Sequence, residues 1–264
     1  MRSILFAFPF AALAAPAFAQ SVLDVVDVRL LPGWRTADGA HMSGLEVDLA
    51  PGWKTYWRSP GDAGIPPRFS WSGSDNVAGV SVQWPTPKVF DQAGMRSVGY
   101  SGTVIFPLVV RPGNASKDAT LAGTIELGVC EEICIPVQLD VATVLEVGAT
   151  RESAALKAAF AERPMTAAEA GVVDVSCQFA PIADGMQVQA TVTMPAFGTN
   201  EVAVLELADP SIWIAEPDVQ RSGNQMVLTT DAVPVSGAPF ALARSDVRVT
   251  IIAGGQAVDI QGCG

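Results

Sequence analysis

The sequence predicts an all-β protein: a β-sandwich followed by a second β domain, the two joined by a short helical linker. Three observations carry this. Apolar residues recur with period two in run after run. The 24 glycines and 19 prolines fall between those runs as turn punctuation. The pattern breaks once, after Gly148, where a helical period takes over before the strands resume.

In chain order, Val22, Val25, Val28 and Leu30 form a first strand that leads into Pro32-Gly33. Leu45, Val47 and Leu49 alternate with polar residues and stop at Pro51-Gly52. Val80, Val82 and Trp84 precede Pro85, and residues 104–110 end at Pro112-Gly113. Residues 121–129 and 137–147 read as strands on either side of a cysteine pair. Residues 152–162 then read as a helix, with Ala155, Leu156, Ala159 and Phe160 on one face and a stop before Pro164. Thr166-Ala167-Ala168-Glu169 has the form of a capping box and predicts a second short helix. Strands return at 172–179, 186–194, 202–207, 225–228, 247–252 and 257–260. The expected division is therefore 1–19, 20–150, 151–170 and 171–264, without an internal repeat.

Residues 1–19 have the form of a cleavable secretory signal peptide. Arg2 gives a positive start, residues 4–15 are apolar, and Ala17-Phe18-Ala19 is a small-x-small cleavage site. No later run is long and apolar enough to insert in a membrane. The formal net charge of −11 argues against nucleic acid, since no basic patch replaces phosphate counterions. An exported chain of this kind works in an oxidising compartment, where thiols are either paired or in use.

Four cysteines allow three pairings. Cys130-Glu131-Glu132-Ile133-Cys134 places two of them four positions apart. A ring that short removes little chain entropy, so it is a poor staple and a good candidate for a pair that opens and closes. Glu131 and Glu132 disfavour a nearby thiolate, which argues against a very acidic attacking cysteine. Cys177 and Cys263 lie near the start and at the end of the second β domain. Paired, they close a long loop worth roughly 4 kcal/mol in the chain-entropy description. The rival reading makes Cys263, between Gly262 and Gly264, an exposed exchange partner.

Residues 51–67 hold Trp53, Tyr56 and Trp57 beside Arg58 and Asp62, with Pro60-Gly61 and Ile65-Pro66-Pro67 forcing an irregular loop. Such a loop either plugs one end of the sandwich or forms a wall of the cysteine site and a docking surface. His41 is the only histidine, which removes support for a Ser-His-Asp site and reads as a surface residue. With Met95 and the thiols it offers soft ligands for copper(I), but no metal-ligand spacing stands out, and no cofactor is called for. No glycine-rich phosphate loop lies between a strand and a helix.

Three pieces, in order, carry a resemblance. Residues 51–67, residues 98–108 from Val98-Gly99-Tyr100 to Phe106-Pro107-Leu108, and Cys130 to Pro136 are similar to the periplasmic N-terminal domain of DsbD-type thiol:disulfide interchange proteins, in particular the branch that includes the suppressor-of-copper-sensitivity B proteins. The similarity covers residues 20–150, and residues 151–264 resemble, with weaker motifs, the second β domain of that branch. The resemblance implies an immunoglobulin-like sandwich in the periplasm. It implies Cys130 and Cys134 as the redox pair, taking reducing equivalents from a membrane-embedded thiol donor and passing them to thioredoxin-like partners. It also implies a loop that shields the pair. Here that loop is residues 88–95, with Phe90 and Met95 as the covering side chains, or else an ordinary hairpin; Trp57 and Tyr100 join them as candidate cap or docking residues. Family members continue into a membrane domain and a CxxC domain that this sequence does not contain, so relay needs a separate donor. The alternative function is a non-catalytic binding module, for copper tolerance or assembly, with Cys130–Cys134 as a fixed clasp.

Overall fold

Alternation of buried and exposed side chains builds the first sandwich from ten strands. The computed structural model describes residues 24–264 except 63 and 93; the expected signal peptide and Val22 lie outside them. The strands are β1 (Val26–Arg35), β2 (His41–Leu49), β3 (Lys54–Tyr56), β4 (Arg68–Ser70), β5 (Val77–Val82), β6 (Lys88–Gln92), β7 (Met95–Ser101), β8 (Thr103–Pro112), β9 (Ala119–Cys130) and β10 (Cys134–Leu145). One sheet has the order β1-β2-β8-β5, the other β10-β9-β3-β7-β6, with β4 added beside β9. Leu45, Val47, Phe106, Leu108, Leu121, Ile125 and Val129 point between them and are fully buried. Phe69, Trp84, Tyr100 and Phe106 form an aromatic cluster with centroids 5.1–6.1 Å apart.

Pro32-Gly33 does not end the first strand. The chain bulges between Leu31 and Trp34 and continues to Arg35. Gly33 has φ +72°, which allows the extra residue without a Cβ clash. The helix is shorter than expected: α1 spans Ala154–Ala161, capped by the Ser153 side chain at the Leu156 amide. Leu156 and Ala159 are buried and Phe160 packs edge-on to Trp34, but Ala155 faces outward.

The predicted second helix is absent. The Thr166–Glu169 box does close: the Glu169 carboxylate accepts from the Thr166 amide at 2.7 Å, and the Glu169 amide donates to Thr166 Oγ1 at 3.3 Å. The Ala170 amide reaches the Thr166 carbonyl, and the chain then leaves the turn at Gly171. A cap satisfies one turn; it does not by itself propagate a helix.

The second sandwich adds β11 (Met165–Thr166), β12 (Asp174–Pro181), β13 (Met186–Thr193), β14 (Val202–Leu207), β15 (Ile212–Ile214), β16 (Asp218–Ser222), β17 (Gln225–Pro234), β18 (Val247–Ala253) and β19 (Gln256–Gln261). Its sheets run β11-β19-β18-β14 and β12-β13-β17-β15, with β16 also on β17. Cys177 on β12 and Cys263 just after β19 are disulfide-bonded, with Cα atoms 5.7 Å apart. The bond ties one sheet to the other. Both cysteines are buried, Cys263 at 9% exposure, so it is not an exposed exchange partner. The halves touch through Ile252 and Ala257, which join the first core, and through two ion pairs, Arg58–Glu206 and Arg96–Glu216.

Candidate active site

The hairpin β9–β10 brings Cys130 directly opposite Cys134, and the two are disulfide-bonded with Cα atoms 4.1 Å apart. Residues 131–133 form the connecting turn. The two sulfurs are not equivalent: Cys130 is 1% exposed, whereas Cys134 lies on the open side. Glu131 and Glu132 are exposed, where water screens their effect on a thiolate.

β3 supplies the rest. It inserts between β9 and β7, with Lys54 opposite Cys130 and Tyr56 two residues on, on the same face. The Tyr56 hydroxyl donates to Cys130 Sγ at 2.9 Å and lies 3.3 Å from Cys134 Sγ. Burial raises the pKa of this hydroxyl, so it stays a donor through neutral pH. The ring crosses Gly128, where an added Cβ would meet Ile65 Cβ at 2.7 Å and Tyr56 Cδ2 at 3.2 Å. Glycine at 128 is therefore what lets the phenol reach the sulfurs. Lys54 is almost fully buried, donates from Nζ to Ser97 Oγ at 3.1 Å, and sits 5.3 Å from the Phe90 ring centroid. Burial lowers its pKa. Its ammonium is held toward β6 and β7.

The other expected site residues separate. Residues 88–92 and 95 are not in an irregular loop but in the paired strands β6 and β7. Phe90 is half-buried on β6, beside Lys54; Met95 is 59% exposed at the start of β7. Trp57 is fully buried and Tyr100 nearly so, the latter donating its hydroxyl to the Pro85 carbonyl at 2.9 Å. Burial holds the Tyr100 pKa well above its ordinary value. Both rings are packing residues and present no docking surface. His41 is also buried, contrary to expectation: its Nε2 lies 2.6 Å from the Pro32 carbonyl, and desolvation lowers its pKa. It sits on β2 in the opposite sheet from the cysteine pair, so His41, Met95 and the sulfurs do not form one ligand set. Tyr56 and Lys54 were legible only as members of an aromatic-rich stretch. Their signal was the i, i+2 spacing of a polar head and a phenol, which counts only once 54–56 is known to be a strand.

Residues 27–146 match the family model described as the thiol:disulfide interchange protein DsbD, N-terminal. The crystal structure of the N-terminal periplasmic domain of ScsB from Proteus mirabilis superposes with a TM-score of 0.69 at 24% identity, covering 94% of this chain and 97% of that one. No curated protein matches the sequence. Among the described residues, no helix is long and apolar enough to cross a membrane. The first sandwich, with its cross-strand cysteine pair at the end of β9, is accordingly similar over residues 27–146 to the DsbD N-terminal domain, and the chain as a whole has the fold of the ScsB periplasmic domain.

Proposed function

We propose that the protein is a periplasmic thiol:disulfide exchange module working through Cys130 and Cys134, between a membrane-embedded thiol donor and thioredoxin-like partners. The observation that carries this is the asymmetry of the disulfide: one sulfur open, one buried, and a phenol hydroxyl within hydrogen-bond reach of both.

The chemistry follows from exposure. A donor thiolate attacks Cys134 Sγ, the accessible sulfur. A bond forms between the donor sulfur and Cys134 as the Cys130–Cys134 bond breaks, and the electron pair leaves on Cys130 Sγ. Tyr56 donates to the developing thiolate. The donor's second thiolate then resolves the mixed disulfide and leaves both cysteines reduced. Passing the electrons on runs the same steps in reverse: the Cys134 thiolate attacks the partner's disulfide, and Cys130 resolves it.

Single-cysteine variants test the assignment. Cys130→Ala leaves the open thiol and should capture a thioredoxin-like partner as a mixed disulfide on non-reducing gels. Cys134→Ala leaves only the buried thiol and should capture little. Equal capture by both, or capture by neither, would sink the proposed roles.

A further inference from the structure

β14 is an edge strand without the usual protection. It pairs with β18 on one side only. Its sequence, VAVLEL, has neither the proline nor the lysine that natural edges use to refuse another strand. Its one charged residue, Glu206, is engaged by the Arg58 guanidinium at 3.0 and 2.9 Å. No backbone hydrogen bond to the open side of 202–207 is present among the described residues.

A cleft of about 480 Å³ runs along this edge, bordered by all six residues of β14. A cavity that touches every consecutive residue of a strand follows its edge, not one of its faces. The opposite wall is β15, itself open on one side, and residues 58–62, 64 and 66 close the end. Trp213 on β15 is 47% exposed and Val235 77% exposed at this cleft. The charge is one-sided. The two guanidiniums, Arg58 and Arg96, are already paired with Glu206 and Glu216; among the described residues Asp62 and Asp209 have no cation, and one Asp209 oxygen accepts from the Ser211 amide and hydroxyl.

We infer that this cleft binds an extended, lysine- or arginine-bearing polypeptide segment as an added strand on β14, with an apolar side chain against Trp213. Unpaired N–H and C=O groups recognise extended backbone, an exposed tryptophan provides the anchor, and the spare carboxylates select for cations. The occupant is a segment of the thiol-bearing partner; this identification rests on the exchange reading. Residues 64–66 link the two places, because Gly64 and Pro66 line the cleft while Gly64 and Ile65 lie beside the Tyr56 ring that touches the cysteines. A strand held in the cleft is thereby anchored on the wall of the exchange site.

The test uses the full chain carrying Cys130→Ala and Cys134→Ala, so that binding is read without any exchange. The probe is a blocked peptide of alternating valine and threonine, matched in length to β14, with lysine at both ends. Calorimetry should show binding that weakens at least tenfold when lysine is replaced by glutamate, and at least tenfold in Trp213→Ala. Methylating alternate peptide nitrogens in the two possible phases should abolish binding in one phase and spare it in the other, since only one set of N–H groups faces the strand. No binding at millimolar peptide, indifference to both methylation phases, equal binding of the acidic peptide, or an unchanged Trp213→Ala would each overturn the proposal. Peptide binding that persists while single-cysteine variants capture no partner would overturn the exchange reading and leave the cleft standing.

Discussion

Replacing Tyr56 by phenylalanine removes one oxygen and nothing else. The ring keeps its place over Gly128, so packing is retained, while Cys130 Sγ loses the donor at 2.9 Å. That sulfur is 1% exposed, and water does not replace the lost hydrogen bond. A hydrogen bond to a charged group is worth about 1.5–3 kcal/mol. Full loss therefore raises the pKa of the Cys130 thiol. With about half the charge developed when the S–S bond breaks, the barrier rises by about 0.75–1.5 kcal/mol, which slows cleavage about four- to twelvefold. The assay is stopped-flow reduction of the oxidised protein by a small dithiol at neutral pH, with thermal melting as the structural control. Thiol titration of Cys134→Ala, with and without Tyr56→Phe, reads the pKa directly. A rate within twofold of the parent, with the Cys130 pKa unmoved, would refute the assigned role of the hydroxyl.

The two disulfides should differ in what they hold. With a sequence separation of 86, Cys177–Cys263 is worth about 4.6 kcal/mol in the chain-entropy description, against about 2 kcal/mol for a separation of four; urea unfolding of the two double-alanine variants should preserve that order, and a reversal would make the short pair the staple. Glu206→Ala strips the carboxylate from an Arg58 that is only 12% exposed, stacked 3.9 Å from the Trp57 ring and bonded to Thr250. It should cost about 3 kcal/mol, and more than Arg58→Met with Glu206→Leu together, because the lone variant leaves a charge unpaired; equal costs in denaturant would contradict this. The Arg163 side chain, with the Thr166 amide and hydroxyl, holds the Glu169 carboxyl at about 2 instead of 4.5. The folded pKa is depressed, so the stabilising contribution is in place above about 4.5 and is lost as pH falls through about 2. Carbon-detected NMR titration should give that midpoint, and Arg163→Ala should move it upward.

Much of the fold was legible because long strands buried on one face advertise themselves. Residues 202–207 read directly as a strand, and both cysteine pairings match the sequence reading. What escaped was short or locally ambiguous. Lys54–Tyr56, Arg68–Ser70 and Ile212–Ile214 are three-residue strands, too brief to display a period. Pro32-Gly33 reads as a stop and is a bulge, since the strand's pairing with β2 outweighs local turn chemistry. The capping box at Thr166 formed its hydrogen bonds without its helix. At the site, the cysteines were visible from spacing and compartment, whereas Tyr56 and Lys54 needed the register of β3 against β9. Trp57 reads as either a plug of the sandwich or a site wall, Tyr100 enters as a cap or docking candidate through the resemblance, and His41 reads as a surface residue. Position in the sheet decided otherwise for His41 and Tyr100, because inward-facing residues of central strands are buried whatever their polarity, provided a partner such as the Pro32 or Pro85 carbonyl is in reach; Trp57, just past β3, is buried in the first core under the Arg58 guanidinium.

The central claim is that Cys130–Cys134 opens and closes in function. Its most direct measurement is the reduction potential of that pair, read by equilibrating the protein with glutathione or thioredoxin buffers and trapping the thiols with an alkylating mass tag. An exchanging pair should fall within the span of known exchange proteins, between about −120 and −270 mV. A value below about −300 mV would mark a bond that such partners do not reduce, and would leave Cys130–Cys134 as a fixed clasp in a binding module.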